Sequence, residues 1–381
     1  MVGVVKKSFL SIDLDRFQSL EGLDGGPAVR QAHAGDHAFV GGPVVGRDAR
    51  EALLDASLAP GATRPVGAGD RARPEAPDPF RLCFERDLDR VKHSRPWRRL
   101  AGKCQVFVAP EDDHLRTRLT HAVEVAQVAT GIARAANLCL PLVEAIALAH
   151  DCGHGPGGHA SEEAFSPYLP DAGYDHAVYG ADVTLAPLNL CSETLDGVRN
   201  HSWRRPAPST AEGEVVAWAD RIAYVCHDFE DACRAGILAP GDLPSGVVDV
   251  VGTRRSEQIG TLVLAVLDAV ERTGRVGMSE PAANALAAFR AFNFERIYLR
   301  PAARRQADRV VSLLRGLVEY FADVPARIPD VASGAVPTPL SGSSQAAARA
   351  VHYVSGMTDR FALRLGVEVL GWRPDDLPRG V

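Results

Sequence analysis

Between His150 and Glu163 the chain reads H-D-C-G-H-G-P-G-G-H-A-S-E-E, which sets three of its 12 histidines beside one Asp and two Glu. Imidazoles and carboxylates at that density suit metal binding and proton transfer. His150 and Asp151 are adjacent, so on a helix they point about 100° apart and converge on one ion only where the backbone turns at the helix end. Gly153 supplies such an end. His154 and His159 fall on the Gly/Pro loop that follows, and Ser161 is placed to cap a new helix with Glu162 and Glu163 in its first turn. An exposed loop that happens to be rich in histidine is the competing reading.

Two other stretches offer matching chemistry. His121 lies in an apolar helical run with Arg118 one turn earlier, so the two share a face. Further on, Asp220, Tyr224 and Asp228 recur at i, i+4 and i+8 on a helix that is otherwise apolar on most sides. A structural hydrogen-bond ladder would account for the tyrosine, but two acids in line repel unless a cation or a donor separates them. His121, His150, Asp151 and Asp220 thus form a candidate ligand set. Two imidazoles and two carboxylates without a thiolate favour Mn, Fe, Co, Ni or Mg as divalent ions, with zinc also possible. Four protein ligands on a six-coordinate ion leave two positions for water and a substrate oxygen, a hydrolase arrangement. His159 and Glu162, three apart, suit a proton relay, and Arg118 suits charge developing on phosphate.

These residues need helices to position them. The periodicity predicts helices over 48–58, with Asp48 as cap, and over 81–92. A third runs from a cap at Asp112 or Asp113 to about 137. Pro141 suits the first turn of the next, 142–150, whose apolar sides bury it and deliver His-Asp inside the protein. Ser209-Thr210-Ala211-Glu212 reads as a capping box opening a helix that runs through Cys233. Amphipathic helices follow over 256–271, 280–294 and 302–321, then a Pro/Gly/Ser-rich loop over 325–345 and a last helix over 346–365. A short ribbon near 105–108 is the only strand signal. Residues 1–78 read as a flexible or loosely packed extension, and 79–381 as the folded domain with its core at about 112–233. The expected class is all-α.

With 46% hydrophobic and 24% charged residues, the 381-residue chain can bury a sizeable core. A net charge of −6 argues against a general nucleic-acid coat. The basic cluster of Arg90, Lys92, Arg95, Arg98, Arg99 and Lys103 fits either a solvated face or an anion-binding rim. Seven scattered cysteines, never in a C-x-x-C pair, suit reduced thiols and a cytoplasmic protein. Neither a signal peptide nor a membrane-spanning run is expected.

The order His…His-Asp…Asp resembles the HD superfamily of metal-dependent phosphohydrolases. More closely, the chain is similar to the deoxyguanosine triphosphate triphosphohydrolase-like family. The motifs that carry the likeness are K-C-Q-V-F from Lys103, R-T-R-L-T-H-A-V-E-V-A-Q from Arg116 and L-V-E-A-I-A-L-A-H-D-C-G-H from Leu142. They continue with G-H-A-S-E from Gly158, L-N-L-C-S-E-T-L-D-G from Leu188, D-R-I-A-Y-V-C-H-D from Asp220 and Y-V-S-G-M-T-D-R-F-A from Tyr353. The resemblance implies an HD-domain helical bundle with additional C-terminal helices. It implies hydrolysis of a deoxynucleoside triphosphate to deoxynucleoside and tripolyphosphate, and a homo-oligomer, with nucleic acid not an expected partner.

By the same resemblance His121, His150, Asp151 and Asp220 would hold the metal, and His159 with Glu162 would act at the α-phosphate. Arg118 would contact phosphate, Tyr224 would stack under the sugar and Asp228 would reach its 3′-hydroxyl. Arg99 and Gln105 would belong to the nucleoside pocket. The chain departs from the family where P-P-F-G-H becomes Gly155-Pro156-Gly157-Gly158-His159. It departs again where F-[DE]-H-N-x-Q-S-L-R becomes 174–182, Y-D-H-A-V-Y-G-A-D. Other readings of the ligand set are an HD-type phosphomonoesterase or phosphodiesterase, and a nucleotide-sensing or nucleic-acid-binding protein with little turnover.

Overall fold

The structure, a computed structural model, describes residues 40–108, 112–170, 173–378 and 380, together with two two-residue strands. These strands, β1 (Ser19–Leu20) and β2 (Val29–Arg30), pair antiparallel with Ser19 opposite Arg30. They belong to a unit spanning Met1–Val45, and the rest of the extension's first 39 residues lie outside the described ones. The second unit, Gly46–Val381, is helical as its periodicity predicts.

Its first half contains α1 (Arg47–Asp55), α2 (Cys83–His93), the short α3 (Arg95–Arg99), α4 (Arg118–Ala135) and α5 (Leu140–Ala149). There follow α6 (Ala160–Phe165), α7 (His176–Tyr179), α8 (Ser192–Asn200) and α9 (Ala211–Arg234). α4 packs on both α5 and α9, so the three ligand-bearing helices are mutual neighbours. Val125 of α4, Val143 and Ile146 of α5 and Ile222 of α9 are wholly buried in one apolar cluster. The chain continues through α10 (Ser245–Val251), α11 (Arg255–Thr273) and α12 (Glu280–Asn293), which lie on that cluster. It ends with α13 (Pro301–Asp323), α14 (Pro329–Ala332), α15 (Ser344–Ser355) and α16 (Asp359–Leu370). Leu314 and Leu317 of α13, Val354 of α15 and Ala362 of α16 form a second apolar cluster, which also takes in Ala164 and Phe165 of α6. The ligand helices therefore belong to the first cluster and the His159–Phe165 segment leans on the second. Their seam is where the chemistry-bearing side chains meet.

Several local expectations are corrected. The packing does not change at residue 78. Arg71 is 8% exposed and donates to Asp87 at 2.6 Å, to Asn189 O at 2.6 Å and to Cys83 O at 2.9 Å. A charge buried that deeply needs such saturation, and it binds 46–78 into the helical unit. Glu212 makes no capping box: it accepts from Thr63 N at 2.9 Å and from Cys139 N at 3.0 Å, while Thr210 alone caps α9. α4 starts at a Thr117 cap and not at Asp112 or Asp113. α1 has Gly46 at its N-cap position, with Arg47 N donating to Pro79 O at 2.8 Å, so Asp48 does not cap. Ser161 does not cap α6 but lies in its first turn, its hydroxyl turned back to the glycine loop, accepting from Gly155 N at 3.1 Å and donating to Gly158 O at 2.6 Å. The last helix is two, because Thr358 caps α16 and restarts the chain after Gly356. The expected ribbon near 105–108 amounts to one antiparallel bridge between Cys104 and Thr117. Among the described residues no helix is long and apolar enough to cross a membrane.

Candidate active site

A cleft of about 570 Å³ opens at the seam. His121 projects into it from α4, Asp151 from the turn after α5, and Asp220, Tyr224 and Asp228 from α9. His121 Nε2 lies 3.0 Å from Asp220 Oδ1. His150 Nε2 lies 3.7 Å from the same oxygen and 3.5 Å from Asp151 Oδ1. His121, His150 and Asp220 thus offer ligand atoms all within 4.8 Å of one another. Asp151 stands beside them and is shared: its Oδ2 accepts from Arg118 Nη1 at 2.8 Å and its Oδ1 lies 3.2 Å from His154 Nε2.

The donors fit a cation on two grounds. His150 Nδ1 lies 2.7 Å from the Ala147 carbonyl, which only accepts, so the proton sits there and Nε2 carries a lone pair. That Nε2 is buried with no hydrogen-bond partner. The electrostatics agree. Burial would raise Asp220, yet the hydrogen bond from His121 and the neighbouring imidazoles hold it well below the ordinary carboxylate range. Burial would lower His121, yet Asp220 outweighs it and raises the ring, so the pair stabilises a positive charge between them.

The loop between α5 and α6 aims His159. Gly157 and Gly158 both have positive φ, at 71° and 63°. A Cβ on Gly157 would come 2.4 Å from Val310 Cγ1, and one on Gly158 would come 2.6 Å from Arg118 Nη2. The glycine that replaces the family's aromatic is thus pressed against α13. Protein surrounds the His159 ring although solvent in the cleft reaches it. That enclosure, with the Arg118 guanidinium and His176, lowers His159 to about 4. Glu162 accepts a hydrogen bond from His176 Nδ1 and none from His159. Burial would raise Glu162, but His176 lowers it to about 2.

The remaining candidates divide. Arg118 spends Nη1 on Asp151, and its buried Nε and Nη2 find no hydrogen-bond partner. Gln105 lines the cleft with a partnerless buried Oε1. Tyr224 accepts from Arg290 Nε at 2.8 Å. Asp228 accepts from the Tyr298 hydroxyl, has no partner at Oδ1, and is raised to about 7 by burial. Arg99 is the exception: it is exposed, does not line the cleft, and lies against Gly356, where a Cβ would come 2.6 Å from its Nη1.

Other lining residues escaped sequence reasoning. His176 and His201 stood in a stretch without periodicity. Arg221, stacked 3.8 Å from the Trp203 ring centroid, and Arg290 and Arg300 read as ordinary polar positions of helices and their ends. Only tertiary packing brings them to one cleft.

The fold and the imidazole–carboxylate set define a metal-dependent phosphohydrolase of the HD class: the HD domain family matches residues 118–225 and the phosphohydrolase-associated domain matches 276–367. A deoxyguanosinetriphosphate triphosphohydrolase-like protein from Caldanaerobacter subterraneus subsp. tengcongensis is 39% identical over 323 residues, 83% of this chain and 93% of the relative. Proteins of the same description from Clostridium perfringens (strain 13 / Type A) and Paracoccus denitrificans are 38% and 33% identical, over 76% and 82% of this chain and 87% and 100% of theirs. The chain belongs to the deoxyguanosinetriphosphate triphosphohydrolase-like family.

Proposed function

We propose that the protein hydrolyses deoxynucleoside triphosphates to deoxynucleoside and tripolyphosphate. The observation that supports this most is the convergence in one cleft of His121, Asp151, Asp220 and His159 with five arginines: Arg118, Arg204, Arg221, Arg290 and Arg300. A cleft of about 570 Å³ is of the size that holds a small molecule, roughly 300–1,000 Å³. Its cationic wall suits a polyphosphate chain, since guanidinium forks match phosphate oxygens. The polar end at Tyr224, Asp228 and Tyr298 suits a sugar.

His121, His150, Asp151 and Asp220 would hold the divalent ion, with Mn²⁺, Mg²⁺, Fe²⁺, Co²⁺ or Ni²⁺ matching their chemistry and zinc a further option. Such an ion supplies Lewis acidity toward a phosphoryl oxygen. Water adds to the α-phosphorus and the bond to the nucleoside 5′-oxygen breaks, so one proton leaves the water and one is needed on the departing oxygen. His159, neutral near pH 7, can hold that proton at its ring. Glu162 acts on it through the charge it places beside His176. Arg118 offers Nε and Nη2 to the phosphate while Nη1 holds Asp151 in place. Asp228 and Tyr298 would position the deoxyribose. Assembly into a homo-oligomer is part of the same proposal, and sedimentation velocity tests it.

Incubating purified protein with each deoxynucleoside triphosphate and Mn²⁺ or Mg²⁺ should release deoxynucleoside and tripolyphosphate. Nucleoside monophosphate or orthophosphate as the product would contradict the proposal and favour a phosphodiesterase or phosphomonoesterase.

A further inference from the structure

Trp203, in the loop between α8 and α9, lines the cleft and is 46% exposed. A tryptophan left that far in water gives up much of the burial that usually explains one. Its ring is nevertheless held on two sides. The indole Nε1 donates to Ala217 O at 3.2 Å, and the Trp218 ring packs edge-on with its centroid 4.7 Å away. Both supports belong to the second turn of α9, the helix that also carries Asp220 and Arg221.

What the held ring touches is Arg221. The guanidinium Cζ stands 3.8 Å from the Trp203 centroid and 5.7 Å from that of Tyr224. Other arginines of the cleft are fixed differently: Arg118 donates to Asp151, Arg290 to Tyr224 and Arg300 to the Ile297 carbonyl, while Arg204 is exposed. Arg221 is half-buried, and it makes neither an ion pair nor a hydrogen bond with any described residue. That difference decides what it can do. A carboxylate fixes a guanidinium by neutralising its charge and occupying its N–H donors. An aromatic face attracts the same group through the ring quadrupole, and the donors, which lie in the guanidinium plane, stay free at its edge. Arg221 therefore keeps its charge and its donors for a ligand, and its place is set before the ligand arrives.

We propose that Trp203 is a positioning residue, which holds the Arg221 guanidinium by cation–π contact so that its free N–H edge receives the polyphosphate chain of the substrate. Trp203 acts through Arg221 and not on the reacting atoms. The inference rests on the proposed reading that a polyphosphate lies in this cleft.

Inorganic tripolyphosphate is the probe, titrated calorimetrically into the full-length protein with Mg²⁺ in excess. Trp203→Leu keeps apolar bulk without a π face and should weaken binding roughly 3- to 10-fold, the worth of a partly exposed cation–π contact. Trp203→Phe keeps a face, loses the bond to Ala217 O, and should bind within about twofold of the wild type. Arg221→Gln should lose at least as much as Trp203→Leu, and the double variant no more than Arg221→Gln alone, because the indole acts through the guanidinium. If Trp203 only anchors its loop, both Trp203 variants melt at lower temperature and bind tripolyphosphate as the wild type does, which would overturn the proposal. So would Trp203→Phe binding as weakly as Trp203→Leu, losses that add in the double variant, or a wild type that does not bind tripolyphosphate. The titration involves no hydrolysis, so its outcome is read separately from the product assay that tests the proposed function.

Discussion

His159 and Asp228 line one cleft under opposite electrostatic pressures: surrounding protein and Arg118 lower the imidazole to about 4, while burial raises the carboxyl to about 7. Displacements of this kind separate groups that exchange protons from groups that bind. Replacing His159 by Ala should lower kcat by roughly 10²–10⁴-fold, the usual worth of a positioned proton-transfer group, and leave Mn²⁺ content unchanged. Steady-state assays paired with elemental analysis check both halves; turnover equal to the wild type would remove His159 from the chemistry. For Asp228 the sign follows from the raised value. The carboxyl is protonated below about 7 and ionised above it, and a sugar hydroxyl donates best to the ionised form. KM should therefore fall as pH rises through 7, and Asp228→Asn, which cannot ionise, should flatten that limb. The four metal-ligand candidates were legible in the chain because imidazoles and acids are rare on apolar helices, and His159 because the glycine loop it closes is dense in imidazoles and acids. Arg290 and Tyr298 were not, since on a single helix they look like solvated positions.

Helices place these side chains, and one buried carboxylate ties two of the placing segments together. Asp359, at the start of α16, accepts from Cys104 N at 2.8 Å and from Gly157 N at 2.9 Å. It thereby anchors the strand of chain bearing Gln105 and the loop bearing His159 to the same C-terminal helix. Lys103 adds to the fastening: wholly enclosed, with burial lowering it to about 8, it donates to Ser355 O at 3.0 Å and to His154 O. Asn at position 359 has a single acceptor oxygen, so one of the two backbone donors would be left unpaired at about 1–3 kcal/mol. Asp359→Asn should accordingly lower the melting temperature and kcat together without loss of Mn²⁺; unchanged kcat would show that the loop holds itself. The helices themselves were readable from their 3.6-residue period, whereas their ends were not. Glu212 and Ser161 have the residue types of caps but are recruited by Thr63, Cys139 and the glycine loop, contacts that only the folded chain provides.

Across the molecule the site lies between two apolar clusters, the ligand helices on one and the His159 loop on the other. Stability and chemistry are consequently linked through buried imidazoles. His227, beside the cleft on α9 and 3% exposed, is lowered to about 2 by burial and by Arg116 and His121. Its native value lies below the unfolded one, so the penalty is absent above about pH 6.5 and grows as pH falls from there, because only the unfolded chain takes the proton. At pH 5.5 this amounts to about 1.4 kcal/mol. Denaturant titrations at pH 7.5 and 5.5 should show His227→Gln losing less stability than the wild type by about that much; equal losses would mean that His227 is protonated in the fold. The all-α class and the HD-type ligand order were legible in the sequence. The extent of the helical unit was not, because the Arg71–Asp87 pair that recruits residues 46–78 joins segments that carry no periodic signal in common.

Hydrolysis in ¹⁸O-labelled water reports most directly on the central claim, that this cleft directs water to the α-phosphorus of a deoxynucleoside triphosphate. With Mn²⁺ present, the account predicts that one ¹⁸O appears in tripolyphosphate and none in the deoxynucleoside. Label in the deoxynucleoside, or release of labelled orthophosphate or monophosphate, would contradict it.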